Sequence, residues 1–172
     1  MTADRHEILL EEVFRRRARQ LARRRTVSTR AATRAVLVFA LGAERYGIEL
    51  SDLLEVLPYT GCTAVPGAPD CVLGVLNVRG DIRPVVDLRR LLGVDVAQSG
   101  SAGYLLMLRH ESGATGVTVD ALEGVRQVDA TEFLSADARG ATVPGSRCVK
   151  ALTADTVIVI DTRATLSQVG PH

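Results

Sequence analysis

Residues 35–50 read AVLVFALGAERYGIEL, and 69 positions further on residues 104–119 read YLLMLRHESGATGVTV. Each stretch opens with an apolar run, passes a glycine-bearing turn, and resumes as a second apolar segment. Gly47-Ile48, Leu50, Leu53 and Val56 recur at that constant offset as Gly116-Val117, Val119, Leu122 and Val125. Further along, Pro84-Val85-Val86-Asp87 is echoed by Val157-Ile158-Val159-Ile160-Asp161. Alternating valines match one another easily, but the spacing predicts a duplicated unit. Two small units of this kind bury too little surface apart, so they are expected to share one apolar seam. A groove beside that seam would suit an apolar helix from a partner.

The remaining strand signals agree. Tyr46, Ile48 and Leu50 alternate with Gly47 and Glu49, and short valine-rich runs follow at 72–78, 82–86, 104–109, 115–119, 125–128 and 156–161. Turn residues separate them: Gly42-Ala43-Glu44, Pro66-Gly67-Ala68-Pro69, Arg79-Gly80-Asp81 and Glu111-Ser112-Gly113. Helical signal in this region is confined to Asp87–Gly93, where an N-cap acid, one apolar face and a terminal glycine predict one to two turns. Many short strands with turns between them predict barrels or a sandwich.

Composition removes several function classes. The 172 residues are 47% apolar, too high for a disordered chain. No apolar run approaches the ~20 residues of a bilayer-crossing helix, and charges from Asp4 onward leave no apolar core for a cleaved leader. A cytoplasmic protein is expected. Cys62, Cys71 and Cys148 form no C-x-x-C pair, so neither a disulfide framework nor a metal site is expected. His6 and His172 lie near the ends, and His110 at a turn reads as solvated. Asp81, Asp87, Asp120 and Asp161 fall at strand ends, where turns and caps account for them. No nucleophile elbow, phosphate loop or dinucleotide fingerprint occurs. Arg79-Gly80-Asp81 reads as a hairpin turn. The body is expected to bind, not to catalyse, with no cofactor and no small-molecule substrate.

The net charge of +1 conceals two regions. Residues 1–34 hold ten arginines against four acids, +6, and residues 35–172 carry −5. Within that arm Leu10, Val13, Phe14, Ala18 and Leu21 recur at steps of three and four, which predicts an amphipathic helix. A polar connector, Thr26–Thr33, follows. The stripe could dock on a partner or on the body, or the arginines could bind nucleic acid or an anionic membrane. A basic-armed nucleic-acid binder is the alternative reading, opposed by the body's negative charge and by the scarcity of aromatics for stacking on bases.

Residues 74–89, GVLNVRGDIRPVVDLR, resemble the most distinctive stretch of the CheW family, the adaptor proteins of bacterial chemotaxis signalling. The family pattern runs roughly G-V-x-N-x-R-G-x-[IV]-x-P-[VI]-[VI]-D-L-[RN]. Phe39-Ala40-Leu41-Gly42 with Glu44-Arg45-Tyr46-Gly47-Ile48 is similar to its opening hairpin, Glu55-Val56 to its E-V pair, and Val65-Pro66 to the segment before the motif. Gly116-Val117 through Val119-Asp120 is similar to its G-x-x-V-D. The likeness covers about residues 35–166.

The resemblance implies an all-β fold of two intertwined SH3-like five-stranded barrels, preceded here by the α-helical arm. The arm and linker would occupy 1–34 and the CheW-like domain 35–170. Its first barrel would span about 35–95 and its second about 100–168, with strand exchange allowed for. It implies a non-enzymatic adaptor that couples the cytoplasmic tips of chemoreceptors to the regulatory domain of a CheA-type histidine kinase, beside membrane-attached receptor arrays. By motif position Glu55 and Arg79 are the expected polar pair. Of opposite charge, they could pair with each other and shape the surface or contact receptor and kinase directly. Asn77 and Gly80 would shape the turn presenting Arg79. Val119, Leu122 and Val125 would line the groove. Arg83 stands where relatives often carry an apolar residue, and so marks a contact that differs. The chain ends soon after Leu166, so a long final helix is not expected, and the arm is left for a further partner.

Overall fold

A computed structural model describes residues 33–94, 101–111, 113–132, 148–153 and 155–169. Residues 1–32 of the basic arm, with its predicted helix, lie outside these residues, whereas Thr33 and Arg34 open the first strand. The described residues form ten strands: β1 (Thr33–Leu41), β2 (Glu44–Glu49), β3 (Leu53–Pro58), β4 (Val72–Val78), β5 (Asp81–Asp87), β6 (Tyr104–His110), β7 (Gly113–Val119), β8 (Ala121–Asp129), β9 (Val149–Leu152) and β10 (Ile158–Ile160). Two one-turn helices, α1 (Leu88–Leu92) and α2 (Thr162–Leu166), follow β5 and β10.

The strands form two five-stranded sheets, ordered β8-β1-β2-β10-β9 and β3-β6-β7-β5-β4, hereafter the first and second sheets. Replacing β1 to β5 by β6 to β10, and the reverse, converts one order into the other. The duplication read from the sequence is therefore a symmetry of the fold. Its distinctive feature is a reciprocal exchange: β3 leaves β2 to pair with β6, and β8 leaves β7 to pair with β1. Neither sheet is built from one half of the chain. Local geometry enforces this. β2 already lies between β1 and β10, and β7 between β6 and β5. Between Val119 of β7 and Ala121 of β8 stands Asp120 alone, and the tight hairpins that return a chain into its own sheet use two residues or more.

Side-chain alternation explains why these strands read as unbroken apolar runs. Val36 and Val38 of β1 face one buried cluster with Val128, Ala151, Val157 and Val159, inside the first sheet. Leu37, Phe39 and Leu41 face a larger cluster that joins the two sheets. On β6, Leu105 and Met107 face the interior of the second sheet, whereas Leu106 and Leu108 face the shared seam. Strands buried on both faces need apolar residues at every position. The expected seam is thus present, and it is the largest core among the described residues.

Two glycines repeat within this packing. A Cβ on Gly47 would come 2.6 Å from Val36 Cγ1, and one on Gly116 would come 2.8 Å from Leu105 Cδ1. Val36 and Leu105 are themselves 69 positions apart. Each half then ends alike: Asp87 accepts from the Arg89 N–H at 3.0 Å to cap α1, and Asp161 accepts from the Ala164 N–H at 2.9 Å to cap α2. Gly93 closes α1 in the left-handed region.

Strands β3 and β9 were not among the sequence-read runs. β3 (LLEVLP) lacks apolar/polar alternation although its burial alternates, and β9 has only four residues. β8 is longer than the predicted 125–128, because Leu122 and Gly124 continue the ladder with β1 around a bulge.

Candidate functional site

The β4–β5 hairpin turns through Arg79-Gly80, with φ of 56° and 96°, while Val78 pairs with Asp81. Two consecutive left-handed residues make a type I′ turn, which suits the twist of the flanking strands. Glycine enters that region freely, but arginine does so at a steric cost. The Asn77 Oδ1 accepts the Gly80 N–H at 2.8 Å and locks the turn. The side chain of Arg79, 80% exposed, donates to the Glu55 carboxylate on β3. β3 and β4 are the outermost strands of the second sheet. Four spacings of a flat sheet would hold them roughly 19 Å apart. The Arg79–Glu55 contact therefore requires the sheet to curl, and it closes the open side.

Arg83 does not join this pair. It donates to Asp81 at 2.8 Å and lies over Gly113, where a Cβ would come 2.8 Å from its Nη1. The apolar candidates separate. Val119 is fully buried in the seam and lines no surface, a correction to the expectation; it sits in β7, a central strand covered on both faces. Leu122 is half-buried and packs against the seam core. Val125 is exposed. The structure thus brings Glu55, Asn77, Arg79 and Gly80 together, while Leu122 and Val125 lie on β8 in the other sheet.

Sequence reasoning missed part of the apolar surface. On β3, Leu54, Val56 and Pro58 are exposed and alternate with half-buried Leu53, Glu55 and Leu57. Tyr104, in register with Pro58, is exposed as well. Val56 stands opposite Leu106 of the seam, so the seam's apolar surface runs out to solvent beside the Glu55–Arg79 pair. Val125, 69 positions later, stands opposite Leu37 of the seam in the same way. No period-two signal marks this set in the sequence, because Leu53 and Leu57 on the other face are apolar as well. Ile82, beside the hairpin turn, is the most exposed large apolar side chain among the described residues at 63%.

The equivalent end of the first sheet is charged. Arg126 of β8 donates to Asp155, which lies in the β9–β10 turn. Arg45 of β2 holds the Glu123 carboxylate with contacts of 2.6 to 3.1 Å and reaches Asp155 at 3.6 Å. A hydrogen bond from the Thr153 hydroxyl, with Arg126 next to it, holds the Asp155 carboxyl below its ordinary range against partial desolvation. Burial alone would raise Glu49, but Lys150 at 2.5 Å and Arg34 at 2.8 Å donate to it and keep it low. Tyr59 is pushed up to about 12 by burial and by its contact with Cys62. Cys62 and Cys71 are half-buried free thiols and Cys148 a buried one. No helix among the described residues is long and apolar enough to cross a membrane.

Comparison with known proteins matches residues 35–169 to the CheW-like domain family. The chemotaxis protein CheW of Rhizobium meliloti is 26% identical over 140 residues, 76% of this chain and 90% of that protein. CheW of Helicobacter pylori is 32% identical over 95 residues, 55% of this chain and 58% of its own length. Protein FrzA of Myxococcus xanthus is 32% identical over 96 residues, covering 56% and 60% of the two chains. The chain therefore spans about three-fifths of the length of some relatives and nine-tenths of another. Among solved structures, the scaffolding protein TtCheW from Thermoanaerobacter tengcongensis superposes with a TM-score of 0.69 at 26% identity, over 78% of this chain and 92% of that one. With two exchanged five-stranded sheets, the G-V-x-N-x-R-G hairpin and a family match across 35–169, this chain belongs to the CheW-like domain family.

Proposed function

We propose that this protein is a non-enzymatic coupling adaptor of a chemotaxis-like pathway. It joins the cytoplasmic tip of a chemoreceptor to the regulatory domain of a CheA-type histidine kinase, beside membrane-attached receptor arrays. The observation that carries this reading is the β3 rim, where exposed Leu54 and Val56 flank the Glu55–Arg79 pair at the outlet of the seam. An apolar strip with a charged pair beside it suits the apolar face of a partner helix flanked by polar residues. Asn77 and Gly80 hold the turn that presents Arg79, and Leu122, Val125 and Arg83 contribute surfaces away from it.

The test uses the full chain with the host kinase's regulatory domain and, separately, a soluble receptor signalling tip. Complexes at micromolar concentration or tighter are expected with both. Failure to bind any kinase or receptor of the host would defeat the adaptor reading. Arg79→Glu is expected to weaken at least one of the two complexes tenfold or more while circular dichroism stays unchanged; an unfolded variant would make Arg79 structural.

A further inference from the structure

We propose that Asp120 and Arg89 form a latch that fixes one sheet against the other, and so sets the spacing at which two partners are held together. Asp120 is the single residue through which the chain passes from the second sheet to the first. One carboxylate oxygen accepts the Gly42 N–H at 2.6 Å, in the β1–β2 turn of the first sheet. The other accepts from the Arg89 guanidinium on α1, which continues β5 of the second sheet. Its backbone is held too: its N–H donates to Ala40 O at 3.1 Å, and its carbonyl lies where Gly103 leaves no space for a Cβ, 2.6 Å away. The Arg89 and Asp120 side chains are only 9% and 14% exposed, so their charge-assisted bond is poorly screened.

The duplication supplies an internal control. Arg163 of α2 occupies the place of Arg89, 74 positions later, yet it is 83% exposed and lies 3.8 Å from Glu111. The other crossover, from β2 to β3, is closed by backbone bonds: Asp52 N–H to Glu49 O at 3.0 Å and Leu53 N–H to Leu50 O at 3.2 Å. Ser51, the positional equivalent of Asp120, is exposed. The fold can thus make a crossover without an ion pair, and only one of the two carries it. Packed cores switch between discrete arrangements and do not deform smoothly. A charged tie across the seam therefore selects one arrangement of the rims on β3 and β8.

The functional half of this inference rests on the adaptor reading, and the experiment separates the two. Asp120→Asn keeps an acceptor for Gly42 and removes the charge; Arg89→Met keeps the stem and removes the donor. For both variants, amide hydrogen exchange is expected to rise tenfold or more at Gly42 and along β1 and β8, with the β6–β7 amides unchanged. Kinase domain and receptor tip, each titrated alone, should bind within twofold of the unaltered protein, while simultaneous binding of both falls at least tenfold. Uniform or absent change in exchange overturns the latch. Localised exchange with intact simultaneous binding overturns its role in coupling. If the unaltered chain binds neither partner, the adaptor reading falls and the coupling half with it, while the exchange pattern still decides the latch.

Discussion

The two sheets have the same strand order, equivalent tight glycines and the same capped helix after the last strand, yet their exposed edges differ. In the second sheet the curl is closed by an acid on the third strand, Glu55, and a base in the following hairpin turn, Arg79. In the first sheet the third strand carries the base, Arg126, and the turn carries the acid, Asp155. One edge presents Leu54, Val56 and Pro58; the other presents Glu123, Val125 and Gln127. What the halves share builds the fold, and what they do not share is left free by it. A staple of either polarity closes a sheet, so the apolar rim of β3 is not a requirement of the architecture.

Breaking the shared part should cost most, and about equally in both halves. Leu106→Ala and Leu37→Ala, seam residues at equivalent positions, are each expected to lower stability by about 3 kcal/mol in urea unfolding. A difference between them larger than about 1.5 kcal/mol would show that the seam is not energetically symmetric.

The glycines sharpen the comparison. Gly47→Ala would drive a methyl into Val36, whose branched side chain is stiff about its first torsion. Gly116→Ala meets Leu105 at Cδ1, Cγ and Cδ2, 2.8, 3.1 and 3.2 Å away, a longer side chain whose two torsions can relieve part of the crowding. About 2 kcal/mol is expected for the first and about 1 kcal/mol for the second. The reverse order would mean that the backbone, not the side chain, limits the site.

The staples come next. Both are substantially exposed, so Arg126→Ala should change stability by less than about 1 kcal/mol. Arg79→Asn should be neutral or slightly stabilising, because asparagine tolerates the left-handed turn better than arginine. If β3 is the partner-binding edge, Arg79→Asn still weakens kinase or receptor binding tenfold in calorimetry, whereas Arg126→Ala leaves it within twofold. Equal effects would erase the functional distinction between the edges.

The smallest effect is with pH. Asp155 and Glu49, both in the first sheet, are held below their ordinary range. Carboxyls lowered in the folded state add stability above their unfolded values, near 4, and lose it as pH falls toward the folded values. Unfolding midpoints measured from about pH 5 down to about pH 2.5 should therefore fall less steeply in Asp155→Asn than in the unaltered protein. Screening of so exposed a group keeps the difference small.

Much of this was legible in the chain. The 69-residue repeat, the Asp87–Gly93 helix and the Arg79-Gly80 turn all follow from local chemistry, since glycine spacing, caps and turn residues act over a few positions. The candidate site was legible only through resemblance, which placed Glu55, Asn77, Arg79 and Gly80 by motif position; local chemistry alone marked the Arg79-Gly80 turn. Val119 and Val125 show the limit. Both are valines in valine-rich strands; one is a core residue and the other exposed, because β7 is central and β8 is an edge.

By itself the order of residues determined that the chain would be β, duplicated and built around one apolar seam, because periodicity states which side chains must leave water. Only the folded arrangement decided that β3 and β8 trade places, that Glu55 meets Arg79 across the curl, and that Asp120 ties Arg89 to Gly42. The physical reason is that the pattern of burial names no partner. Two nearly equivalent strands satisfy it equally well on either sheet, and the choice falls to connector length, strand neighbours and long-range charge pairs that exist only once the chain has closed on itself.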